Sequence, residues 1–284
     1  MYGKFSLAVY RPNKFSKEGV VMDRISRALD QARNKVAKVH NKQVDEPKKP
    51  IVYTGSQPVE LSRQILHENR IITEIDHSQI IDAYGLLRTR VLKLMKQNNW
   101  KTIGITSPDA SVGKTVTSIN LSISIAMEHN YSVLLVDADL RKPGISKTLG
   151  IYPEVGLNSY LLRDKSIEDI FLHPQIDHLV IVPTNKVESG SSELLSSPRM
   201  INFVEEAKQR YKERVLVFDL PPILVGDDVV AFSQNLDALL LVVEDGKTQS
   251  DELLRATDLL QDVNLLGVVL NKATEDSNQL DYYN

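Results

Sequence analysis

Four groups of residues in this sequence have types and positions suited to phosphate and metal chemistry. Residues 108–115 read Pro-Asp-Ala-Ser-Val-Gly-Lys-Thr, and Asp137-Ala-Asp139-Leu-Arg141, Asp219 and Asn271 each follow a later apolar run. A lysine beside backbone N–H groups binds phosphates, while a threonine hydroxyl and carboxylates bind Mg²⁺. An amide at the end of a strand can read the edge of a base. These residues predict a site for a polyphosphate and a magnesium ion.

Alternating strands and helices would position these residues. Buried strands are predicted for six apolar runs, at residues 103–105, 133–136, 179–182, 215–219, 239–243 and 265–270. A helix after the first strand places Gly113-Lys114-Thr115 at its N-terminus, where unpaired N–H groups and the helix dipole attract phosphate. The carboxylates then lie at the carboxyl ends of the strands. This order predicts an α/β fold of the P-loop NTPase type, with helices on both faces of a mostly parallel sheet and an N-terminal helical extension.

Composition limits the class of protein. The 284 residues are 42% hydrophobic and 25% charged, with a net charge of −3, which suits one large α/β domain plus an extension. Disulfides and thiolate metal sites are excluded because the sequence has no cysteine. Basic residues are confined to predicted helices with apolar faces, so we expect no nucleic-acid partner. We also expect a cytoplasmic protein, because the longest apolar run, Ala238–Val243, is too short for a membrane span.

Four segments are predicted along the chain. Residues 1–40 hold a tail and an amphipathic helix, and residues 41–77 are a linker containing three prolines. The P-loop domain covers residues 78–273 and starts with a helix that leads into the first core strand. Residues 274–284 are a flexible tail with two tyrosines.

Several segments in residues 78–272 resemble the bacterial tyrosine kinases (BY-kinases) of polysaccharide synthesis and export. The matching segments are Asp82-Ala83-Tyr84 with Leu87-Arg88-Thr89, Gly113-Lys114-Thr115, Val136 to Pro143, Gly156-Leu157 with Tyr160-Leu161, Glu193 to Ser197, and Asp219 to Pro222 with Asp227-Asp228. The N-terminal helix, with Ile25 to Leu29, is similar to the start of stand-alone members associated with exosortase-type exopolysaccharide systems.

This resemblance implies an ATP-dependent protein-tyrosine (auto)kinase that regulates exopolysaccharide chain length or export. It implies ATP and Mg²⁺ as ligands, with catalytic roles for Lys114, Asp137, Asp139 and Asp219. The implied nucleotide contacts are Ser111, Val112, Gly113, Lys114, Thr115, Val116, Arg141 and Asn271, and the implied metal ligands are Thr115, Asp137 and Asp219. A carboxylate beside the acceptor hydroxyl can take its proton during phosphoryl transfer.

The resemblance also implies where the kinase works. Its partner would be a membrane polysaccharide co-polymerase, the chain-length determinant protein, which would hold this chain at the inner membrane. The family allows a homo-oligomer. Tyr282 and Tyr283 in the C-terminal tail are the candidate phosphate acceptors.

Three positions depart from the family pattern. Ser111 stands where the family loop has glycine, which could strain the loop or weaken binding by about 1 kcal/mol or more. Gly85 replaces an arginine of the Glu-x-x-Arg-x-x-Arg motif linked to ring assembly. The tail has only Tyr282 and Tyr283 in place of a larger tyrosine cluster.

These departures leave two alternatives beside the kinase. One is a catalytically degenerate relative that binds nucleotide and acts as an adaptor of the polysaccharide machinery. The other is a partition-type ATPase, but the second lysine of that class is replaced by Asp109, which cannot donate to phosphate.

We further predict that Lys114 faces solvent, so that its replacement by Met would abolish phosphate binding without unfolding the domain.

Overall fold

The computed structural model describes residues 56–73, 79–128, 130–162, 165–187, 189–210 and 213–273. The predicted amphipathic helix before residue 41 and the tyrosine-containing tail after residue 273 lie outside these ranges.

The strands of the described residues form one eight-stranded sheet. They are β1 (Gln57–Pro58), β2 (Thr102–Thr106), β3 (Ser132–Asp137), β4 (Leu172–His173), β5 (Leu179–Val182), β6 (Arg214–Asp219), β7 (Ala238–Glu244) and β8 (Leu265–Asn271). Their order is β1-β4-β5-β3-β6-β2-β7-β8, and only β4 and β5 pair antiparallel. The predicted mostly parallel sheet is confirmed.

Helices cover both faces of this sheet, as predicted. They are α1 (Arg63–Glu68), α2 (Gln79–Asn98), α3 (Lys114–Ala126), α4 (Ile145–Leu149), α5 (Leu157–Leu161), α6 (Ser191–Leu195), α7 (Pro198–Gln209), α8 (Asp228–Phe232) and α9 (Ser250–Leu259). Helices α1 to α4 pack into one apolar core, and α5 to α9 pack into the other. Within the described ranges, no helix combines the length and apolarity needed to cross a bilayer.

Continuous apolar runs make the central strands because both faces of the sheet are buried. In β3, Val133 and Leu135 belong to one core, whereas Leu134 and Val136 belong to the other. Successive side chains of a strand point to opposite faces, so the four residues 133–136 in the middle of β3 are all apolar. The first carboxylate of β3, Asp137, marks the end of the strand.

Part of the predicted linker belongs to the domain, so its boundary at residue 77 is corrected. Strand β1 pairs with β4, and Leu66 of α1 is buried together with Ile71 and Ile72. The Asn120 side chain of α3 also accepts a hydrogen bond from the Ile72 N–H at 2.9 Å. Prolines suggested a linker, but the apolar residues that follow them supply core contacts.

The parallel pairing brings the polar strand ends to one edge of the sheet. Asp137 of β3 is the register partner of Asp219 in β6, and Glu244 of β7 is the partner of Asn271 in β8. Strand β2 lies between β6 and β7. The loop that follows β2 therefore starts between the two pairs of polar residues.

Candidate nucleotide-binding site

The phosphate loop, residues 107–113, connects β2 to α3 at this edge of the sheet. Gly113 is the N-cap of α3 and has a left-handed φ of 97°. The first N–H groups of a helix have no intrahelical partner, and the helix dipole adds partial positive charge there. The structure thus places residues 111–116 where a phosphate can be bound, with Val116 half-buried against the apolar core.

Lys114 is buried, so the prediction that it faces solvent is wrong. Only 8% of the residue is exposed, and its Nζ lies 2.9 Å from Asp139 Oδ2 and 3.6 Å from Asp219 Oδ2. Burial alone would lower the pKa of Lys114, but the two carboxylates raise it above its ordinary value. The lysine is therefore a cation held between two aspartates.

Asp219, at the end of β6, is hydrogen-bonded to α3, the helix that follows the phosphate loop. Its Oδ2 accepts a hydrogen bond from the Thr115 hydroxyl at 2.7 Å, and its Oδ1 accepts one from the Ser118 hydroxyl at 2.9 Å. Burial raises the pKa of Asp219, and Lys114 and the two hydroxyls oppose that rise. Sequence reasoning missed Ser118, although its position one helical turn after Lys114 places both residues on the same helix face.

Asp137 contacts backbone groups that follow its own strand. Its Oδ2 accepts hydrogen bonds from the N–H groups of Gly144 at 3.0 Å and Ile145 at 2.9 Å, and its Oδ1 accepts one from Asp139 N at 3.3 Å. Burial raises the pKa of Asp137 well above its ordinary value, and the charge of Asp219 adds to the rise. Asp137 thus fixes the segment that carries Asp139.

The donors around Thr115 suit a magnesium ion that also binds phosphate. In the described part of the chain, no three His, Cys, Asp or Glu side chains converge to hold a metal ion unaided. Mg²⁺ in nucleotide sites takes one or two carboxylates and completes its shell with phosphates and water. A Cβ atom at Gly144 would lie 2.8 Å from Thr115 Oγ1, so glycine keeps this hydroxyl accessible. Thr115 and Asp219 fit such a site.

Arg141 lies beyond Asp139 and is oriented by residues of two other loops. Its Nε donates a hydrogen bond to Ser191 Oγ at 2.9 Å, and the same nitrogen lies 2.9 Å from Asp228 Oδ2 in an ion pair. A Cβ atom at Gly226 would lie 3.2 Å from Arg141 Cζ, so the backbone there approaches the guanidinium closely. Asp228 is 2% exposed, and its other oxygen has no hydrogen-bond partner. Arg141 is thus the cation that this buried carboxylate depends on.

We expect Arg141→Ala to lower the free energy of unfolding by about 2 kcal/mol, because the buried charge of Asp228 loses its ion pair. Urea unfolding measures this loss. Asp227→Ala is the matched control, since Asp227 is 73% exposed and lies 3.5 Å from Arg141; it should change stability by less than about 0.5 kcal/mol. Equal losses in the two variants would contradict the assigned pairing.

The end of β8 holds the phosphate loop. Asn271 Nδ2 donates to the Val112 carbonyl at 2.7 Å, and its Oδ1 accepts from Lys272 N at 2.9 Å. Asn271 is only 4% exposed, and both polar groups of its side chain already form hydrogen bonds within the protein. The prediction that Asn271 reads a base edge is therefore replaced by a role in positioning the loop.

Ser111 has a left-handed φ of 66°. Residues with a side chain rarely adopt this conformation, so the loop carries the strain that was expected from a serine in place of glycine.

Gly113→Ala is expected to disturb the same loop. The Cβ atom would lie 2.1 Å from Asn271 Nδ2, at a φ of 97° that alanine rarely adopts. We expect a loss of about 2 kcal/mol in the free energy of unfolding and weaker nucleotide binding, measured by urea unfolding and calorimetric titration. Gly246→Ala is the control, since its φ of 67° is also left-handed but nothing lies within 4 Å of its Cβ position. A smaller loss for Gly113→Ala than for Gly246→Ala would contradict the contact with Asn271.

Comparisons with known proteins agree with this geometry. A family model described as CobQ/CobB/MinD/ParA nucleotide binding domain matches residues 103–283. The tyrosine-protein kinase YwqD of Bacillus subtilis is 31% identical over 205 residues, which cover 71% of this chain and 85% of that protein. This chain belongs to the bacterial tyrosine kinase family. The family resemblance inferred from the phosphate loop and the two aspartate motifs is confirmed.

Two further relatives extend the comparison. The crystal structure of the VpsO kinase domain has a TM-score of 0.61 and 28% identity, covering 70% of this chain and 98% of that chain. The succinoglycan biosynthesis transport protein ExoP of Rhizobium meliloti is 29% identical over 221 residues, which are 76% of this chain but 27% of that protein. The region of ExoP that matches this chain is thus a minor part of a longer protein.

Proposed function

We propose that this chain is an ATP-dependent protein-tyrosine kinase of an exopolysaccharide system. The observation that carries the proposal is the buried cluster in which Lys114 contacts Asp139 and Asp219, with Thr115 and Ser118 bound to the same Asp219. A family member with this cluster at the phosphate loop has the groups that phosphoryl transfer needs, since that reaction depends on positioning and charge neutralisation.

Lys114 and the loop N–H groups would bind the phosphates of ATP. The ammonium group carries three N–H donors; Asp139 takes one at 2.9 Å and Thr115 Oγ1 takes another at 3.5 Å, so one donor is left for a phosphate oxygen. Arg141, fixed by Asp228 and Ser191, is a second cation for the transferred phosphate or the acceptor. Thr115 and Asp219 would hold Mg²⁺, which neutralises phosphate charge when it is bound.

Asp139 is the best placed of the three aspartates to act as the base. It is 3% exposed, whereas Asp137 and Asp219 are 0% exposed. All three aspartates use both oxygens: Asp219 accepts from two hydroxyls, Asp137 from backbone N–H groups, and Asp139 from Lys114 Nζ and the Lys142 N–H. Asp139 differs because its partner Lys114 is the lysine proposed to bind the phosphates, which puts this carboxylate beside the transferred group. We assign to Asp139 the proton of the acceptor tyrosine, whose oxygen attacks the γ-phosphorus while ADP leaves. Asp137 positions the segment that carries this base.

The acceptor tyrosine has to be accessible to a neighbouring active site. Tyr282 and Tyr283 remain our candidates and lie outside the described residues. Among the described tyrosines, Tyr152 is 90% exposed, whereas Tyr84 is 3% and Tyr160 is 9% exposed. Tyr152 is therefore the comparison site in any mapping of phosphate.

We also propose a membrane polysaccharide co-polymerase as partner, which would keep this chain on the cytoplasmic side of the inner membrane. The support is the match of this chain to part of ExoP, a transport protein by name. Assembly into a ring has weaker support. Arg88 of the contact motif is engaged within the chain, with Ser124 O at 3.1 Å and Glu128 at 2.9 Å, and a side chain at Gly85 would contact nothing within 4 Å.

A nucleotide-binding adaptor is the second candidate, and the left-handed φ of Ser111 favours it because this loop departs from the glycine-containing loop of the family at a position beside the phosphates. Incubation with γ-phosphate-labelled ATP and Mg²⁺ separates the functions. Label on protein tyrosine supports the kinase, label released as inorganic phosphate supports an ATPase, and bound but unreacted ATP supports the adaptor. The incubation is run with and without the cytoplasmic segment of the partner.

A further inference from the structure

The strained residue of the phosphate loop is contacted by a lysine that follows β8. Lys272 Nζ donates to the Ser111 carbonyl at 2.8 Å and forms an ion pair with Glu244 Oε2 at 3.0 Å. Its neighbour Asn271 donates to the next loop carbonyl, that of Val112, at 2.7 Å. Two consecutive carbonyls of the loop are therefore bound by two consecutive residues at the end of one strand.

These contacts determine where the loop N–H groups point. The Ser111 carbonyl shares a peptide unit with Val112 N–H, and the Val112 carbonyl shares one with Gly113 N–H. A planar trans peptide directs its C=O and N–H groups to opposite sides. Both N–H groups are thus directed away from β8, and consecutive N–H groups with a common direction bind anions.

Ser111 makes this support necessary in this chain. A serine at a φ of 66° is held in a region that residues with a side chain rarely occupy. Glycine adopts the same conformation without a steric penalty, so a loop with glycine at this position would keep its shape unaided. Strained backbone persists only where surrounding contacts determine it.

We propose that Lys272 is a positioning residue for nucleotide binding, which holds the strained Ser111 peptide in its phosphate-binding orientation and compensates for the missing glycine. Glu244 keeps the Lys272 ammonium in place through their ion pair. The Glu244 side chain is only 14% exposed, and its Oε2 is itself held by Lys247 Nζ at 3.3 Å. The inference rests on the proposed nucleotide binding, and it assigns to Lys272 a contact with the loop rather than with the nucleotide.

The test is calorimetric titration of the full chain with ATP and Mg²⁺. Lys272→Ala is expected to weaken binding about tenfold. Lys247→Ala is the matched control, because it removes a lysine that pairs with the same glutamate and has no contact with the loop; it should change the affinity less than about twofold. Circular dichroism and urea unfolding establish that both variants are folded.

The decisive variant combines Lys272→Ala with Ser111→Gly. Glycine removes the strain, so the double variant should regain an affinity within about threefold of the parent chain, a coupling that a double-mutant cycle quantifies. An affinity as low as that of Lys272→Ala alone would overturn the proposal and indicate direct contact between Lys272 and the nucleotide. Unchanged binding by Lys272→Ala would also overturn it. If the parent chain itself bound no nucleotide, the proposed function would fail together with this inference. If the parent chain bound nucleotide and Lys272→Ala bound it equally well, only this inference would fail.

Discussion

Lys114→Met is expected to weaken ATP binding about a hundredfold and to destabilise the domain. The binding loss follows because a charged donor to the phosphates is removed, and such hydrogen bonds contribute more than neutral ones. The free energy of unfolding should fall by about 3 kcal/mol, because Asp139 and Asp219 keep buried charges without their cation. Calorimetric titration and urea unfolding measure the two effects.

Lys142→Met is the control for this variant. Lys142 is exposed and follows Arg141 in the same segment, so the substitution removes a nearby lysine without opening the buried cluster. We expect its affinity and stability to stay close to those of the parent chain. If Lys114→Met were as stable as the control, the assigned ion pairs would be contradicted. If it bound ATP as tightly as the parent chain, Lys114 would not be a phosphate contact.

Asp139→Asn is expected to reduce the rate of tyrosine phosphorylation about a thousandfold, because general base catalysis contributes factors of this order. ATP binding should change less than about threefold, since Lys114 keeps its contact with Asp219 at 3.6 Å. Single-turnover phosphorylation and calorimetric titration separate the two quantities. The isosteric amide retains an oxygen for the N–H of Lys142, which Asp139 Oδ1 binds at 2.9 Å.

Asp227→Asn is the corresponding control, because it removes an exposed carboxylate near Arg141 and outside the lysine cluster. Its phosphorylation rate should stay within about threefold of that of the parent chain. If Asp139→Asn phosphorylated tyrosine at the parent rate, another group would be the base. If it lost ATP binding instead, Asp139 would be a positioning residue for the nucleotide.

The sequence determined the sheet and the location of the site because both depend on local patterns. Apolar runs predicted all the central strands to within one residue at either end. Parallel strands buried on both faces end where polar residues begin, so Asp137 and Asp219 could be placed at one edge without knowledge of the register.

Contacts between distant segments could not be predicted in this way. Lys114 was expected to face solvent, because nothing in the sequence around it shows that Asp139 and Asp219 surround its ammonium. The carbonyls that Asn271 and Lys272 bind lie about 160 residues earlier in the chain, at Val112 and Ser111. Residues 57–73 were included in the predicted linker of residues 41–77 because its three prolines are visible in the sequence and the tertiary contacts are not.

The kinase assignment is tested most directly by the intact mass of the purified chain after incubation with ATP and Mg²⁺, followed by fragment mapping. We expect added phosphate on tyrosine, with Tyr282 and Tyr283 as the predicted sites and Tyr152 as the comparison site. Phosphate should accumulate about a thousandfold more slowly on Asp139→Asn. A chain that binds ATP but gains no phosphate, alone or with the cytoplasmic segment of its partner, would contradict the account, as would equal phosphorylation of Asp139→Asn.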